Sequence, residues 1–248
     1  MRGWLGPLGG VAAVAARVPL WLAASPASPR ARHHERAALG ALARGCGIRT
    51  IVSGQPVHGG TLFVSNHISW ADIPVYGGAL GVAFVAKAEV GSWPLIGRMA
   101  ARVGTIFVAR ERRGETGAQA EAIRDRLRAG GDVMLFAEGT TSDGLGVLPF
   151  RSSLFAAADA AARVQPVAIA WQAADGAPLS AERLRQVAWI GDDPLLPSVN
   201  AVARERTRAL LTLLEPLAPA ADRKALAQAA HGAVAAAYAA ATAPNRSR

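Results

Sequence analysis

Short apolar runs alternate with helix-like stretches between residues 48 and 190. Strand-like runs are predicted at residues 48–52, 61–64, 82–85, 105–108, 133–136, 167–170 and 187–190. Helix-like segments separate most of these runs, at residues 93–102, 117–129 and 152–162. This alternation predicts an α/β fold with a largely parallel central sheet flanked by helices. Ligands of such folds bind at the carboxyl ends of the strands.

The amino-terminal end has a different pattern. Residues 3–24 are nearly free of charge and would span about 33 Å as a helix, which is close to the hydrocarbon thickness of a bilayer. Arg17 and Pro19 interrupt the run, so an interfacial or re-entrant segment fits as well as a full span. A cleaved signal peptide is the alternative. We expect the segment to be retained, because the arginine-rich residues 30–36 follow it and favour the cytoplasmic side of a membrane.

Three regions follow from these patterns. Residues 1–36 are predicted to form an apolar membrane-associated segment, and residues 37–198 the α/β domain. Residues 199–248 are rich in alanine and are predicted to add two packing helices to the same domain, with a break near Pro216 and Pro219.

Charge and cysteine content restrict the partners. The chain has 248 residues and a formal net charge of +9, which implies an anionic partner such as an acidic membrane, a phosphorylated small molecule or a nucleic acid. No dense basic run with interleaved aromatic residues is present, so we expect no nucleic acid partner. Cys46 is the single cysteine, which excludes an intrachain disulfide and a cysteine metal cluster. No metal site is predicted.

The most informative stretch is residues 61–74, TLFVSNHISWADIP. It predicts a buried strand, a turn, and a helix with Pro74 in its first turn. His67 and Asp72 would lie about 140° apart on a straight helix, so they can pair only if the turn folds one back towards the other. A paired imidazole and carboxylate form a general base. The alternative is that Asp72 caps the helix and His67 is a hydrogen-bonded turn residue.

Two further groups of polar residues follow predicted strands. Arg110 comes after the run at 105–108, and a guanidinium at a strand end suits bidentate phosphate binding, although a solvated charged loop explains it equally well. Glu138, Gly139 and Thr140 come after the run at 133–136, where Gly139 permits a backbone that presents successive N–H groups to an anion.

These blocks resemble, in order, those of the glycerolipid acyltransferase family, which includes the 1-acylglycerol-3-phosphate acyltransferases. Residues 66–72 resemble its NHxxxxD motif, and residues 104–110 resemble its GxxFxxR block. Residues 136–140 resemble FPEGT with Ala137 in the place of proline, and residues 164–167 resemble the short VPV block with Gln165 in the place of an apolar residue. Lys87 and Arg151 also match basic positions of the family. The resemblance covers roughly residues 60–170.

The resemblance implies direct acyl transfer without a cofactor. His67, oriented by Asp72, would deprotonate an acceptor hydroxyl that attacks the thioester of acyl-CoA or acyl-carrier protein. Substrate binding would involve residues distributed over all the blocks: Asn66, Lys87, Arg110, Glu138, Gly139, Thr140 and Arg151. The implied location is the cytoplasmic face of the cell membrane.

The resemblance leaves the acceptor open. 1-Acylglycerol-3-phosphate, giving phosphatidate, is the first expectation. Residues 139–155 and 189–192 are similar to family members that act on lyso-ornithine lipids, which makes that lipid the alternative. A non-enzymatic basic protein that binds membranes is the alternative from another class.

Overall fold

The computed structural model of the chain describes residues 28–92, 104–108 and 116–243, together with single positions at 12, 15, 16, 19, 23, 97, 100 and 101. The segment predicted at residues 3–24 and the helix predicted at 93–102 therefore lie outside the described residues, apart from those single positions. No helix in the described part of the chain has both the length and the apolar character needed to cross a bilayer.

A seven-stranded sheet forms the centre of the described structure, in the order β1-β7-β6-β2-β5-β3-β4. The strands are β1 (Ile48–Ser53), β2 (Thr61–Ser65), β3 (Ala83–Lys87), β4 (Ile106–Val108), β5 (Val133–Phe136), β6 (Arg163–Ala173) and β7 (Thr207–Leu213). All neighbouring strands pair in parallel except β6 and β7, which are antiparallel. The predicted α/β fold with a largely parallel sheet is confirmed.

Helices cover both faces of this sheet. They are α1 (Pro29–Gly45), α2 (Asp72–Leu80), α3 (Ala88–Gly91), α4 (Thr116–Arg128), α5 (Ala181–Val187), α6 (Leu195–Ala203) and α7 (Arg223–Thr242), and Ser152–Ala160 forms a 3-10 helix. α1 continues through residue 36, where the sequence analysis placed a boundary.

The central strands are apolar on both sides because both of their faces are buried. Every residue of β2 is buried, with Phe63 in one core cluster and Leu62 and Val64 in the other. Successive side chains of a strand point to opposite faces, so one strand contributes to both clusters. This packing explains why the sequence of a central strand shows a continuous apolar run and no alternation.

Two predictions about secondary structure are wrong. Residues 207–213, expected to be helical, form β7, whose alternating buried and half-buried residues lie between β1 and β6. The alanine-rich composition favoured a helix, but two neighbouring strands supply a ladder on each side of this segment. Residues 187–190, expected to be a strand, begin with the last residue of α5 and join no strand. The N–H of Trp189 donates to Ile68 O at 2.9 Å.

Candidate active site

Asp72 organises the turn between β2 and α2. Its Oδ2 accepts hydrogen bonds from His67 Nδ1 at 2.8 Å, from the N–H of Ile68 at 2.8 Å and from the N–H of Ser69 at 2.9 Å. These donors all precede α2 in the chain. The carboxylate therefore stabilises the turn before α2 and does not cap the N–H groups of the helix itself. The turn therefore brings together the two side chains that a straight helix would separate.

The second oxygen of Asp72 is bound from the far side of the site. Trp171 on β6 donates its indole N–H to Asp72 Oδ1 at 3.0 Å, and Asp72 is fully buried. Four donors thus surround a carboxylate that has lost all contact with water. Charge-assisted hydrogen bonds of this kind compensate for the free energy of removing the charge from water.

The imidazole of His67 lies flat on Phe136. The two rings stack with their centroids 3.8 Å apart and an interplanar angle of 9°, and 15% of the His67 side chain is exposed. When Nδ1 carries the proton that it donates to Asp72, Nε2 is left with a free lone pair. The arrangement therefore presents a proton acceptor, held in one orientation by a carboxylate and an aromatic ring.

Asn66 fastens the turn to β6. Its side-chain Nδ2 donates to Ile169 O at 3.0 Å, and its Oδ1 accepts from the N–H of Ile169 at 2.9 Å. The residue is completely buried. Asn66, predicted to bind substrate, thus has its amide committed to the backbone of a neighbouring strand.

Glu138 joins the same turn to the loop that follows β5. Its Oε2 accepts from the N–H of His67 at 3.1 Å and its Oε1 from the N–H of Leu148 at 2.9 Å. Burial raises the pKa of this carboxyl to about 7, against the lowering effect of the two backbone donors. Glu138 was also predicted to bind substrate, but both of its oxygens hold backbone groups in place.

Gly139, Thr140 and Arg151 lie together beside this turn. Gly139 has a φ of +73°, and a Cβ built on it would lie 3.0 Å from Cδ of Arg151 and 3.1 Å from its Nε. The Arg151 side chain therefore passes directly over Gly139. Thr140 and Arg151 are exposed, so a cation and a hydroxyl face solvent next to the His67 turn.

Of the remaining predicted residues, Lys87 is on the other half of the sheet. Lys87 is the last residue of β3 and pairs in register with Val108, the last residue of β4. Arg110 comes two residues later and lies outside the described residues. Both strands end at the carboxyl edge of the sheet, the edge that also holds His67 and Glu138.

Trp171 and Phe136 were not predicted as site residues. Trp171 lies 99 residues after Asp72 in a buried strand, where its sequence context indicates only core packing. Phe136 belongs to the FAEGT block, but the resemblance assigned it no role. Phe136 lies directly before Ala137 and Glu138, at the end of a strand that neighbours β2. That position was the signal from which its place in the site could have been predicted.

No group of three His, Cys, Asp or Glu side chains comes together in a way that would hold a metal ion, as far as the structure describes the chain. The arrangement is an α/β sheet with an oriented imidazole exposed at its carboxyl edge. Such an imidazole can act as a general base towards a substrate hydroxyl or water.

Comparison with known proteins assigns the class more closely. A family profile described as Acyltransferase matches residues 49–170. A lyso-ornithine lipid O-acyltransferase from Brucella abortus (strain 2308) is 45% identical over 178 residues, which are 67% of this chain and 67% of that protein. A 1-acyl-sn-glycerol-3-phosphate acyltransferase from Neisseria gonorrhoeae is 40% identical over 111 residues, 44% of each chain.

A solved structure shares the fold. The crystal structure of the 1-acyl-sn-glycerophosphate acyltransferase PlsC from Thermotoga maritima matches with a TM-score of 0.65 at 20% identity, covering 90% of this chain and 86% of that one. The chain belongs to the acyltransferase family, and it is an enzyme that transfers acyl groups.

Proposed function

We propose that the protein transfers a fatty acyl group from acyl-CoA or acyl-carrier protein to the free hydroxyl of a lysolipid, with lyso-ornithine lipid as the first acceptor. The observation that carries the proposal is the 2.8 Å contact between His67 Nδ1 and Asp72 Oδ2 at the carboxyl edge of the sheet. It supplies an oriented base without a nucleophilic serine or cysteine.

The acyl group passes directly from the thioester to the acceptor through a tetrahedral intermediate. His67 Nε2 takes the proton of the acceptor hydroxyl, and the hydroxyl oxygen attacks the thioester carbonyl carbon. The tetrahedral intermediate collapses, the carbon–sulfur bond breaks, and the thiol leaves with the proton from the imidazolium. Asp72 stabilises that imidazolium and keeps the ring in place between the two proton transfers.

Cations at the carboxyl edge would hold the anionic group of the acceptor. Arg151 is exposed over Gly139, and the resemblance implies the same role for Arg110 and Lys87. A guanidinium binds a carboxylate or a phosphate in a bidentate manner, so these residues suit the carboxylate of an ornithine headgroup and the phosphate of lysophosphatidate. Asn66 and Glu138 would act indirectly, by keeping the His67 turn in position.

The relatives favour lyso-ornithine lipid among the two acceptors. The relative named for that lipid aligns at 45% identity over 178 residues, whereas the relative named for 1-acyl-sn-glycerol-3-phosphate aligns at 40% over 111. From the motifs alone we expected 1-acylglycerol-3-phosphate as the first candidate acceptor. The longer alignment makes lyso-ornithine lipid the first candidate instead. 1-Acylglycerol-3-phosphate remains the second candidate, because the His67 and Glu138 blocks fit either acceptor.

The proposed location is the cytoplasmic face of a membrane. The acceptor and the diacyl product are membrane lipids, whereas the thioester donor is cytosolic. Residues 1–36 would hold the enzyme at that surface through their apolar run and the arginines that follow it.

An acyl-transfer assay with matched histidine variants tests the mechanism. We expect His67→Ala to lower turnover by at least about 10²-fold, the usual effect of losing a positioned general base. His58→Ala is the matched control, because His58 Nδ1 also contacts a carboxylate, Asp132 Oδ2 at 2.7 Å, but before β2 at the opposite edge of the sheet. Equal turnover by the two folded variants would refute the mechanism.

A panel of purified acceptors tests the substrate. Lyso-ornithine lipid and 1-acylglycerol-3-phosphate are compared with both thioester donors, and we expect the higher kcat/KM with lyso-ornithine lipid. Arg110→Ala should raise KM for the lysolipid much more than KM for the thioester, because charge-assisted bonds worth roughly 1.5–3 kcal/mol belong to one substrate only. An equal rise in both KM values would remove Arg110 from the acceptor site.

A further inference from the structure

An open cleft of about 480 Å³ lies beside β1, the edge strand of the sheet furthest from β4. Ile48, Thr50 and Val52 alternate along β1 and share one face, which forms the floor. Gly40 of α1 and Gly78 of α2 line the opposite side, where a Cβ on Gly78 would lie 2.7 Å from Cα of Gly40. This face of β1 is buried at Ile48 and becomes accessible towards Val52, which is 43% exposed.

Three arginines line this cleft from three different elements. Arg44 ends α1, Arg49 belongs to β1, and Arg206 precedes β7. All three are exposed, and their guanidinium groups make no hydrogen bond or ion pair with any residue that the structure describes. The acid next to Arg206, Glu205, is directed to Arg183 Nε at 3.4 Å. The cleft therefore concentrates positive charge that is paired with no carboxylate in the described part of the chain.

The cleft is separate from the His67 site. Two strands, β7 and β6, lie between β1 and β2. At about 4.8 Å per strand, the floor is on the order of 14 Å from β2 across the sheet. A ligand bound here would not occupy the position of the substrates.

We propose that this cleft binds the headgroup of an anionic phospholipid. The phosphodiester would be held by Arg44 and Arg206, since guanidinium groups pair with phosphate oxygens in a bidentate manner. Arg49 alternates to the other face of β1 and would add to the positive potential around the cleft. The first carbons of the acyl chains would cover the exposed apolar part of the floor at Val52. A free inorganic anion would neutralise the arginines but leave that floor in water, so a lipid fits the cleft better.

The binding would do more than attract the protein to a charged surface. α1 leads from the arginine-rich residues 30–36 to Arg44, so a lipid in the cleft would hold the end of this helix and the edge of the sheet at the bilayer. A defined headgroup contact would thereby set the orientation of the sheet on the membrane. This inference is independent of the acceptor proposed for the His67 site.

Equilibrium dialysis of the full chain in nonionic detergent tests the proposal. The probe is labelled dihexanoyl-phosphatidylglycerol below its critical micelle concentration. The triple variant Arg44→Gln, Arg49→Gln, Arg206→Gln removes the cations, and Ala79→Trp fills the cleft without changing its charge. A charge-matched control replaces Arg128, Arg163 and Arg185 by Gln, because these exposed arginines lie outside the cleft.

We expect the triple variant and Ala79→Trp each to weaken binding at least tenfold, given about fivefold for each basic residue at an anionic lipid surface. The charge-matched control should bind within about twofold of the wild type. All variants should keep acyl transfer in detergent, which shows that they are folded. The proposal is overturned if the control loses as much affinity as the triple variant, or if Ala79→Trp binds normally. It is also overturned if dihexanoyl-phosphatidylcholine binds equally well, or if equimolar inorganic phosphate displaces the probe.

Discussion

Trp171 holds Asp72 from the opposite side to His67, through an indole N–H that donates to Asp72 Oδ1 at 3.0 Å. The contact links the carboxyl-terminal part of β6 to the first residue of α2. Because the carboxylate is fully buried, each of its donors contributes to keeping it charged and oriented towards His67.

Replacing Trp171 by Phe removes this donor and keeps an aromatic side chain. We expect kcat to fall about tenfold, which corresponds to about 1.4 kcal/mol of transition-state stabilisation, with little change in either KM. Trp189→Phe is the control, since Trp189 donates its indole N–H to Asp193 O, away from Asp72. If both variants lose the same activity, the Trp171 contact has no special role in orienting Asp72.

Asn66 provides a second test of the turn. In Asn66→Asp, the donor to Ile169 O is replaced by a carboxylate oxygen, so a buried acceptor faces another acceptor. Leaving such a group unsatisfied costs roughly 1–3 kcal/mol, and we expect a loss of at least that size in the free energy of unfolding. Thermal unfolding with the exposed Asn200→Asp as control measures it. Normal stability with a large rise in acceptor KM would instead return Asn66 to substrate binding.

Gly139 allows the effect of backbone strain to be separated from that of a contact. Gly139→Ala introduces a Cβ 3.0 Å from Arg151 Cδ at a φ of +73°. Gly130→Ala has the same strain at a φ of +77°, but nothing lies within 4 Å of its Cβ. We expect both variants to lose about 1 kcal/mol of stability, because L residues disfavour this region. Only Gly139→Ala should raise KM for the lysolipid, since only it displaces the Arg151 side chain, and similar kinetics of the two variants would contradict this.

Glu35 on α1 makes stability depend on pH. Burial raises the pKa of its carboxyl from 4.5 to about 7, against the opposing charges of Arg126 and Arg32. Below pH 4.5 the carboxyl is neutral in both states. As pH rises from 4.5 to 7 the unfolded chain loses the proton first, so stability decreases across this window. The gap between the two pKa values corresponds to on the order of 3 kcal/mol.

Glu35→Gln should abolish that decrease. When the unfolding midpoint is measured from pH 4 to pH 8, the midpoint of Glu35→Gln should therefore rise increasingly above that of the wild type. Glu121→Gln is a control of opposite sign. Hydrogen bonds from Arg128 and Arg124 lower the pKa of Glu121, so its contribution is lost as pH falls through the lowered value. A constant difference between wild type and Glu35→Gln over this range would show that Glu35 is not buried as a neutral acid.

The sequence by itself determined the features that depend on neighbouring residues. The apolar runs at 61–64 and 133–136 predicted β2 and β5, because a strand buried on both faces must be apolar throughout. The run at 48–52 predicted β1, which lies at the edge of the sheet. The order of the polar blocks predicted the family, and the five-residue spacing of His67 and Asp72 predicted a turn that folds one towards the other.

Only the tertiary structure decided the features that depend on distant partners. β7 is a strand because β1 and β6 lie on either side of it, which the alanine-rich composition of residues 199–248 does not indicate. Trp171 became part of the site, and Asn66 and Glu138 became supports of the turn, because β6 and the loop after β5 present donors and acceptors to them. A hydrogen bond forms between atoms brought together by the fold, so residue type and local spacing specify what a side chain can bind but not which partner it meets.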